Sequence, residues 1–292
     1  MKRLIALIIA AAVAPTPSPA AAQDSSGPPP SGDDVANVRR KVEASEGTEE
    51  GKGGLGLEVK VEGKTAYFFR GYNIMDAGYI VQPEATVSLP AIEWGKYSLS
   101  PYVGVWNNVS EKKGPDGSPW GHWTEFDATG GVAVERGDWS LDVQWNYYTS
   151  PGDFFDSSHE IGATLAYGGD VAGLGLHPHV ALFGELRDDS DGDENTYFEA
   201  GLEPEWEASE KLSVAVPLTL GTSLGGYYTD GRGRNEFLGY ASVGVRPAWR
   251  LDGHWSIYAG VEYVHLFADS ARSANGGDDG KMIGVVGVSV TR

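Results

Sequence analysis

From Leu55 to the end of the chain, apolar and polar residues alternate with a period of two. The clearest stretch is 139–148. There Trp139, Leu141, Val143, Trp145 and Tyr147 alternate with Ser140, Asp142, Gln144, Asn146 and Tyr148. Successive strand side chains point to opposite faces, so the pattern predicts a strand between one apolar and one polar environment. Comparable stretches lie at 57–70, 79–89, 97–106, 125–135, 159–167, 176–186, 197–207, 212–222, 237–251, 255–267 and 281–291. Together they predict twelve strands and no long helix.

The connections also alternate. Those at 71–78, 107–121, 149–158, 187–195, 223–235 and 268–280 are mostly long and rich in Gly and Asp. Between them fall mostly short turns, such as Arg136-Gly137-Asp138 and Asp252-Gly253. Long loops at one end, short turns at the other and an even strand number predict an all-β fold. Specifically, they predict a transmembrane, antiparallel, up-and-down β-barrel of about twelve strands, of the bacterial outer-membrane type.

Tryptophan placement tests this independently. Trp94, Trp139, Trp206, Trp249 and Trp255 lie at strand ends beside short turns, and Trp106, Trp120, Trp123 and Trp145 lie toward the long loops. Aromatic belts at the two headgroup levels predict such a split. Prolines cut the other way. Pro83, Pro101, Pro178, Pro204, Pro217 and Pro247 fall inside proposed strands, where a missing N–H interrupts a ladder.

Residues 1–22 lack this pattern. Lys2 and Arg3 precede an apolar run from Leu4 to Ala14, and Ala20-Ala21-Ala22 offers a small-residue cleavage site, as in a secretory signal peptide. Residues 23–54, rich in Pro, Gly and Glu, offer little to bury and predict a disordered tether before a barrel spanning 55–292. The expected address is therefore the outer membrane of a Gram-negative cell.

Charge narrows the partners. With 41 acidic against 22 basic residues the formal charge is −19, which argues against nucleic acid, since phosphates need Lys and Arg. The absence of cysteine removes disulfides, thiolate metal sites and a Cys nucleophile. The expected partners are outer-membrane lipids and lipopolysaccharide, small solutes, and the barrel-insertion machinery during assembly.

The polar faces give the candidate lumen lining: Glu84, Glu125, Asp127, Asp142, Gln144, Glu185, Glu199, Glu203, Arg246, Arg250 and Glu262. Carboxylates outnumber cations here, so a narrow pore so lined is expected to prefer cations. Glu203, Glu205 and Glu207 are expected level with Arg246 and Arg250. A loop such as 107–121 is expected to fold inward and constrict the lumen.

Phe68-Phe69-Arg70-Gly71-Tyr72, closing the proposed first strand, resembles the Arg-Gly signature of the TorF-like porin family. Trp145 to Gly152, with Pro151-Gly152 at its end, and His159-Glu160-Ile161-Gly162 resemble that family's aromatic Pro-Gly loop and the Glu opening its next strand. The resemblance spans 67–167. It implies an outer-membrane barrel passing small solutes, with Arg70, Gly71, Pro151, Gly152 and Glu160 as its motif residues.

Other chemistry is weaker. The acidic loop 188–194 lacks the Gly and Glu of an EF-hand, with Glu194 and Ala200 in their places, and reads as a solvated loop. His177 and His179 are expected on one polar strand face, without a third metal ligand. Ser157-Ser158-His159 is the only Ser-His cluster, and neighbours on a strand face opposite ways, which disfavours a lipid-modifying enzyme. The residues thus name no catalytic group, metal or cofactor. They predict a porin for small polar, cationic or neutral solutes; the alternatives are a non-conducting structural or interaction barrel and a lipid-modifying barrel enzyme.

Overall fold

The structure is a computed structural model and describes residues 54–113, 120–171, 175–186 and 195–292. The expected signal peptide, the tether up to residue 53, the acidic stretch 188–194 and residues 114–119 of the 107–121 loop lie outside the described residues.

The chain forms β1 (Gly56–Lys64), β2 (Tyr67–Phe69), β3 (Tyr72–Met75), β4 (Ile80–Ser88), β5 (Ile92–Trp94), β6 (Tyr97–Ser110), β7 (Trp123–Arg136), β8 (Trp139–Thr149) and β9 (Ser158–Tyr167). It continues through β10 (His179–Leu186), β11 (Thr196–Leu202), β12 (Glu205–Ser209), β13 (Leu212–Ala215), β14 (Leu218–Gly225), β15 (Leu238–Arg250), β16 (Trp255–Leu266), α1 (Asp269–Ala274) and β17 (Gly280–Thr291). Twelve strands (β1, β4, β6 to β11 and β14 to β17) pair antiparallel with their neighbours, and β1 pairs with β17 to close the barrel. The closing seam ends where Leu57 and Arg292 exchange backbone hydrogen bonds of 2.7 and 2.8 Å. Closure leaves no ring strand with an unpaired edge.

The period of two sorts the side chains as expected. Leu57, Val61, Val103, Leu165, Val180, Val243, Val261 and Val286 are exposed on the outer face, while Lys60, Glu62, Gln82, Thr86, Asp142, Gln144, Thr164 and Ser242 are buried inside. Trp94, Trp139, Trp206, Trp249 and Trp255 are all exposed toward the short-turn rim, as a belt requires. Trp106 departs from the belt. It is only 6% exposed and faces the lumen, packing its ring 5.5 Å from that of Tyr67.

The prolines sit where the ladder is already broken. Between β4 and β6 the pairing passes from Val81↔Val109 to Glu84↔Trp106, skipping Pro83. Between β15 and β16 it passes from Val245↔Val261 to Ala248↔Tyr258, skipping Pro247. Each gap falls beside the strand that a proline cannot donate to. Pro204 and Pro217 separate β11 from β12 and β13 from β14, so the outer hairpin β12–β13 continues the wall beyond the break.

The first proposed strand is corrected. It ends at Lys64, not at 70, and 67–75 forms a separate two-stranded hairpin, β2–β3, outside the barrel's own sheet. At its tip Arg70 (φ +44°) and Gly71 (φ +83°) both take positive φ, the geometry of a type I′ turn. Gly71 suits this conformation, and any Cβ there would also press on the Tyr240 ring.

Candidate functional site

The β2–β3 hairpin packs inside the barrel. Tyr67, Phe69 and Met75 cluster with Ile80 and the inward Trp106, all buried. Arg70 at the tip is 4% exposed. Its guanidinium donates to Glu160 on β9 through Nη1 (2.6 Å to Oε2) and Nη2 (3.0 Å to Oε1). The Tyr148 hydroxyl donates to the same Glu160 carboxylate at 2.8 Å. Four rings surround the cation: Phe183, Tyr197, Phe69 and Tyr227, with centroids 4.2, 4.4, 4.6 and 5.8 Å from Cζ. A two-pronged, ring-flanked ion pair satisfies the fixed fork of an Arg better than it would a Lys.

The loop between β14 and β15 seals the other side. Tyr228 is fully buried and its hydroxyl donates to the Arg70 carbonyl at 2.7 Å. Tyr72 donates to the Tyr227 carbonyl at 2.8 Å, and its hydroxyl lies 3.0 Å from Ser270 Oγ on α1. Asn73 donates to Asn275 at 3.0 Å, and Lys281 bridges to Asp76 at 2.8 Å. The described constriction comes from 65–79; of the 107–121 loop that the sequence suggested, residues 114–119 lie outside the described residues and 111–113 are exposed.

This loop has its own lock. Asp230 accepts from the backbone N–H and the side chain of Arg234 and from the backbone N–H of Arg232, which pulls its carboxyl down to about 2.

Below the hairpin the lumen wall is polar. Lys60 pairs with Glu84 at 2.8 Å and Lys64 with Glu62 at 3.3 Å. Tyr102 donates to the Asp142 carboxylate at 2.8 Å and lies 3.1 Å from Gln144 Oε1. Gln82 donates to Asn108 at 3.1 Å, which donates on to Thr124 at 2.6 Å. Of the proposed lining, Glu84, Glu125, Asp127, Asp142, Gln144, Glu185, Glu199 and Glu262 lie on inward positions of their strands. Glu125 and Asp127 lie almost fully buried, near the Tyr67 hydroxyl of the hairpin. Glu203 and Arg246 border a cavity, whereas Arg250 and Glu207 are exposed at the short-turn rim. The register sets Glu205 level with Arg246 across Ala215.

Of the motif residues, Arg70 and Glu160 are brought together, and Gly71 makes the turn. Pro151 and Gly152 lie in a tight turn in which the backbone N–H of Asp153 donates to Ser150 at 3.1 Å, and Ser150 Oγ donates to Thr124 at 2.7 Å.

The histidine pair is corrected. His177 stands outside β10 with a φ of +42°, its Nδ1 3.1 Å from the Glu203 carbonyl, because the strand begins only after Pro178. His179 alone faces the lumen. His159 lies on the outer face with its ring against Trp145 and Tyr147, while Ser157 donates to Thr149 at 2.8 Å.

Of the plug residues, Phe69 stood within the Arg-Gly signature, whereas Tyr67, Tyr227, Tyr228 and Tyr240 were not singled out by sequence. The available signal was the loss of alternation in Tyr67-Phe68-Phe69-Arg70-Gly71-Tyr72, which is aromatic on both faces.

No family model and no curated protein matches the chain. Among solved structures, the chain is similar to an outer-membrane channel from Pseudomonas putida F1, at 10% identity and a TM-score of 0.53, covering 82% of this chain and 96% of that one. The NanC porin aligns at 11% identity and a TM-score of 0.46, over 80% and 98% of the two chains. The first similarity, together with the closed ring of strands, gives this chain the fold of an outer-membrane β-barrel.

Proposed function

We propose that this protein is an outer-membrane channel for small polar solutes whose lumen the β2–β3 hairpin closes in the conformation described. The observation that carries the reading is the pairing of a polar, charge-lined lumen with a separately folded hairpin seated across it. Barrels of about eight strands can be filled by their own side chains, and twelve strands enclose a wider lumen. Here a connection between two adjacent strands fills the cross-section instead, and such a connection can be withdrawn without unpairing the wall. The fold of the Pseudomonas putida channel and the resemblance to TorF-like porins agree with this reading. The apolar outer face and the tryptophan belt support residence in a lipid bilayer, with lipids, lipopolysaccharide and the insertion machinery as partners.

Planar-bilayer conductance tests it. Gly63 pairs with Val81, so β1 and β4 end side by side and a short Gly-Ser linker can replace 66–78. The intact barrel should conduct little and the hairpin-less barrel steadily. A second reading, a non-conducting interaction barrel, is favoured by how completely Phe69, Tyr197 and Tyr228 are buried. A folded hairpin-less barrel that passes no current would select that reading.

A further inference from the structure

Beneath the hairpin tip the lumen keeps a cavity of about 110 Å³. It exists because the wall there carries small side chains: Thr219, Ser242, Gly244 and Gly260 all border it. The volume is several times the roughly 30 Å³ share of one water, enough for a small organic molecule. At one edge of this wall stand His179, Glu199 and Glu203.

His179 is the unusual member. Its side chain is 5% exposed, borders the cavity, and neither ring nitrogen has a hydrogen-bond partner among the described residues. Buried polar atoms are nearly always satisfied, so such a ring marks a place where a partner belongs. The ring lies over Gly201, where a Cβ would collide with it. Its Nε2 is 3.8 Å from Glu199 Oε1, too far for a hydrogen bond between them. Glu199 is held still by its other oxygen, which accepts from Tyr197 at 2.5 Å and Tyr240 at 3.2 Å.

A carboxylate oxygen and the lone pair of a neutral imidazole are both acceptors. Two acceptors at this separation leave room for one donor nitrogen about 2.9 Å from each, the ordinary N–H···O distance. A group with two donor hydrogens can serve both, as water does through two O–H bonds and an ammonium through two N–H bonds. A positive group gains most, because charge-assisted hydrogen bonds are about twice as strong as neutral ones. Glu203 and Glu262 border the same cavity, as do Lys64, Arg70 and Arg246, so the preference rests on the Glu199 carboxylate and His179 themselves. A metal ion fits less well, since no group of three His, Asp or Glu among the described residues is arranged to hold one.

We infer that this cavity is a binding site for a small primary ammonium compound, seated between His179 and Glu199. The inference rests on the reading of the lumen as a solute path and names the class of solute. The probe is ethylammonium, compared with tetramethylammonium, which has no N–H, and with acetate, which would be taken up if His179 were there to donate. Binding to the refolded full chain in detergent is followed by calorimetry and by saturation-transfer NMR. Ethylammonium should bind saturably, and the other two should not.

Glu199→Gln keeps an acceptor for the two tyrosines yet removes the charge, and should weaken binding roughly ten- to a hundredfold. His179→Phe fills the same space without an acceptor and should weaken it too. Glu207→Gln, at the exposed rim, should bind as the unaltered chain does. Retention of the folded, heat-sensitive gel mobility qualifies each variant. Equal binding of tetramethylammonium or acetate, or undiminished ethylammonium binding by both cavity variants, overturns the site. Ethylammonium binding by a barrel that never conducts, even without its hairpin, keeps the site and removes the channel. Conduction through hairpin-less barrels without ethylammonium binding removes the site alone.

Discussion

Arg70 and Glu160, ninety residues apart in sequence, are joined inside the barrel by two hydrogen bonds of 2.6 and 3.0 Å. Both are almost wholly buried. Removing one partner of such a pair strands a buried charge at a cost of about 3–5 kcal/mol, whereas an apolar pair of similar volume can be nearly neutral. Arg70→Ala is therefore expected to loosen the hairpin while the wall strands stay paired. Arg70→Met with Glu160→Met should hold it better than either single change. Hydrogen exchange at Tyr72 to Met75 reports the hairpin, and bilayer conductance reports the consequence. Equal protection in Arg70→Ala and the unaltered chain would show that the aromatic contacts alone hold it.

Val143 and Gln144 are neighbours facing opposite ways. Val143 lies on the outer side, and Gln144 is buried beside Asp142 within reach of Tyr102. Val143→Arg places a charge against lipid and should cost about 2–4 kcal/mol near the midplane. Gln144→Arg meets the Asp142 carboxylate instead and should assemble. The check is the fraction of each that reaches the compact, heat-sensitive gel form. A worse defect in Gln144→Arg would place the strand's faces the other way round.

The strands were legible because a two-sided wall writes its two environments into every second residue. Val143, Asp142 and Glu125 all fall where parity puts them. The hairpin was not legible for the same reason. Tyr67, Phe69, Arg70 and Gly71 are buried and Phe68 and Tyr72 half-buried against protein, so apolar rings occupy both faces and the run reads as a continued strand. Trp106 was misassigned by its nearness to a long loop, although its parity with Ser100 and Tyr102 already pointed inward. Arg70 and Glu160 were each noticed, but a contact across ninety residues requires the closed ring to bring it about. His179 was paired with the wrong neighbour, since Pro178 ends the turn and starts the strand between the two histidines. The cavity depends on which small residues share a row across strands, as Gly201, Thr219 and Ser242 do, and no local pattern reveals that.

Acid should act first on the loop carrying Tyr227 and Tyr228. The Asp230 carboxyl stands at about 2 in the folded loop, against an ordinary value of 3.8. A lowered folded value means stability that is complete above the unfolded value and is lost as pH falls through the folded one. The 230–234 turn should thus loosen between about pH 4 and pH 2. Amide exchange at Gly233 and Arg234 over that window is the measurement. Asp230→Asn should flatten the transition, and a step that survives it would belong to another group.

The charge balance of an opened lumen gives the remaining expectation. Glu84 and Glu62 are neutralised in place by Lys60 and Lys64, so those four groups set no selectivity, whereas replacing 66–78 removes Arg70 and leaves Glu160 without its cation. The inward residues beyond them include Glu125, Asp127, Asp142, Glu199 and Glu262, against Arg246. Carboxylates of one sign in a narrow passage favour cations. A barrel without its hairpin should therefore show a cation-selective reversal potential in a salt gradient. The selectivity should fade toward 1 M salt, where the screening length falls to about 3 Å. Glu125→Gln with Asp127→Asn should lower it further than either change alone, because the two lie on one face of β7 two residues apart. Tyr67 covers that pair while the hairpin is seated, so the effect belongs to the hairpin-less barrel. The same substitutions in the intact chain should alter hairpin packing more than current. An anion-selective reversal potential would mean that Arg246 and the β1 lysines, and not the carboxylates, govern the path.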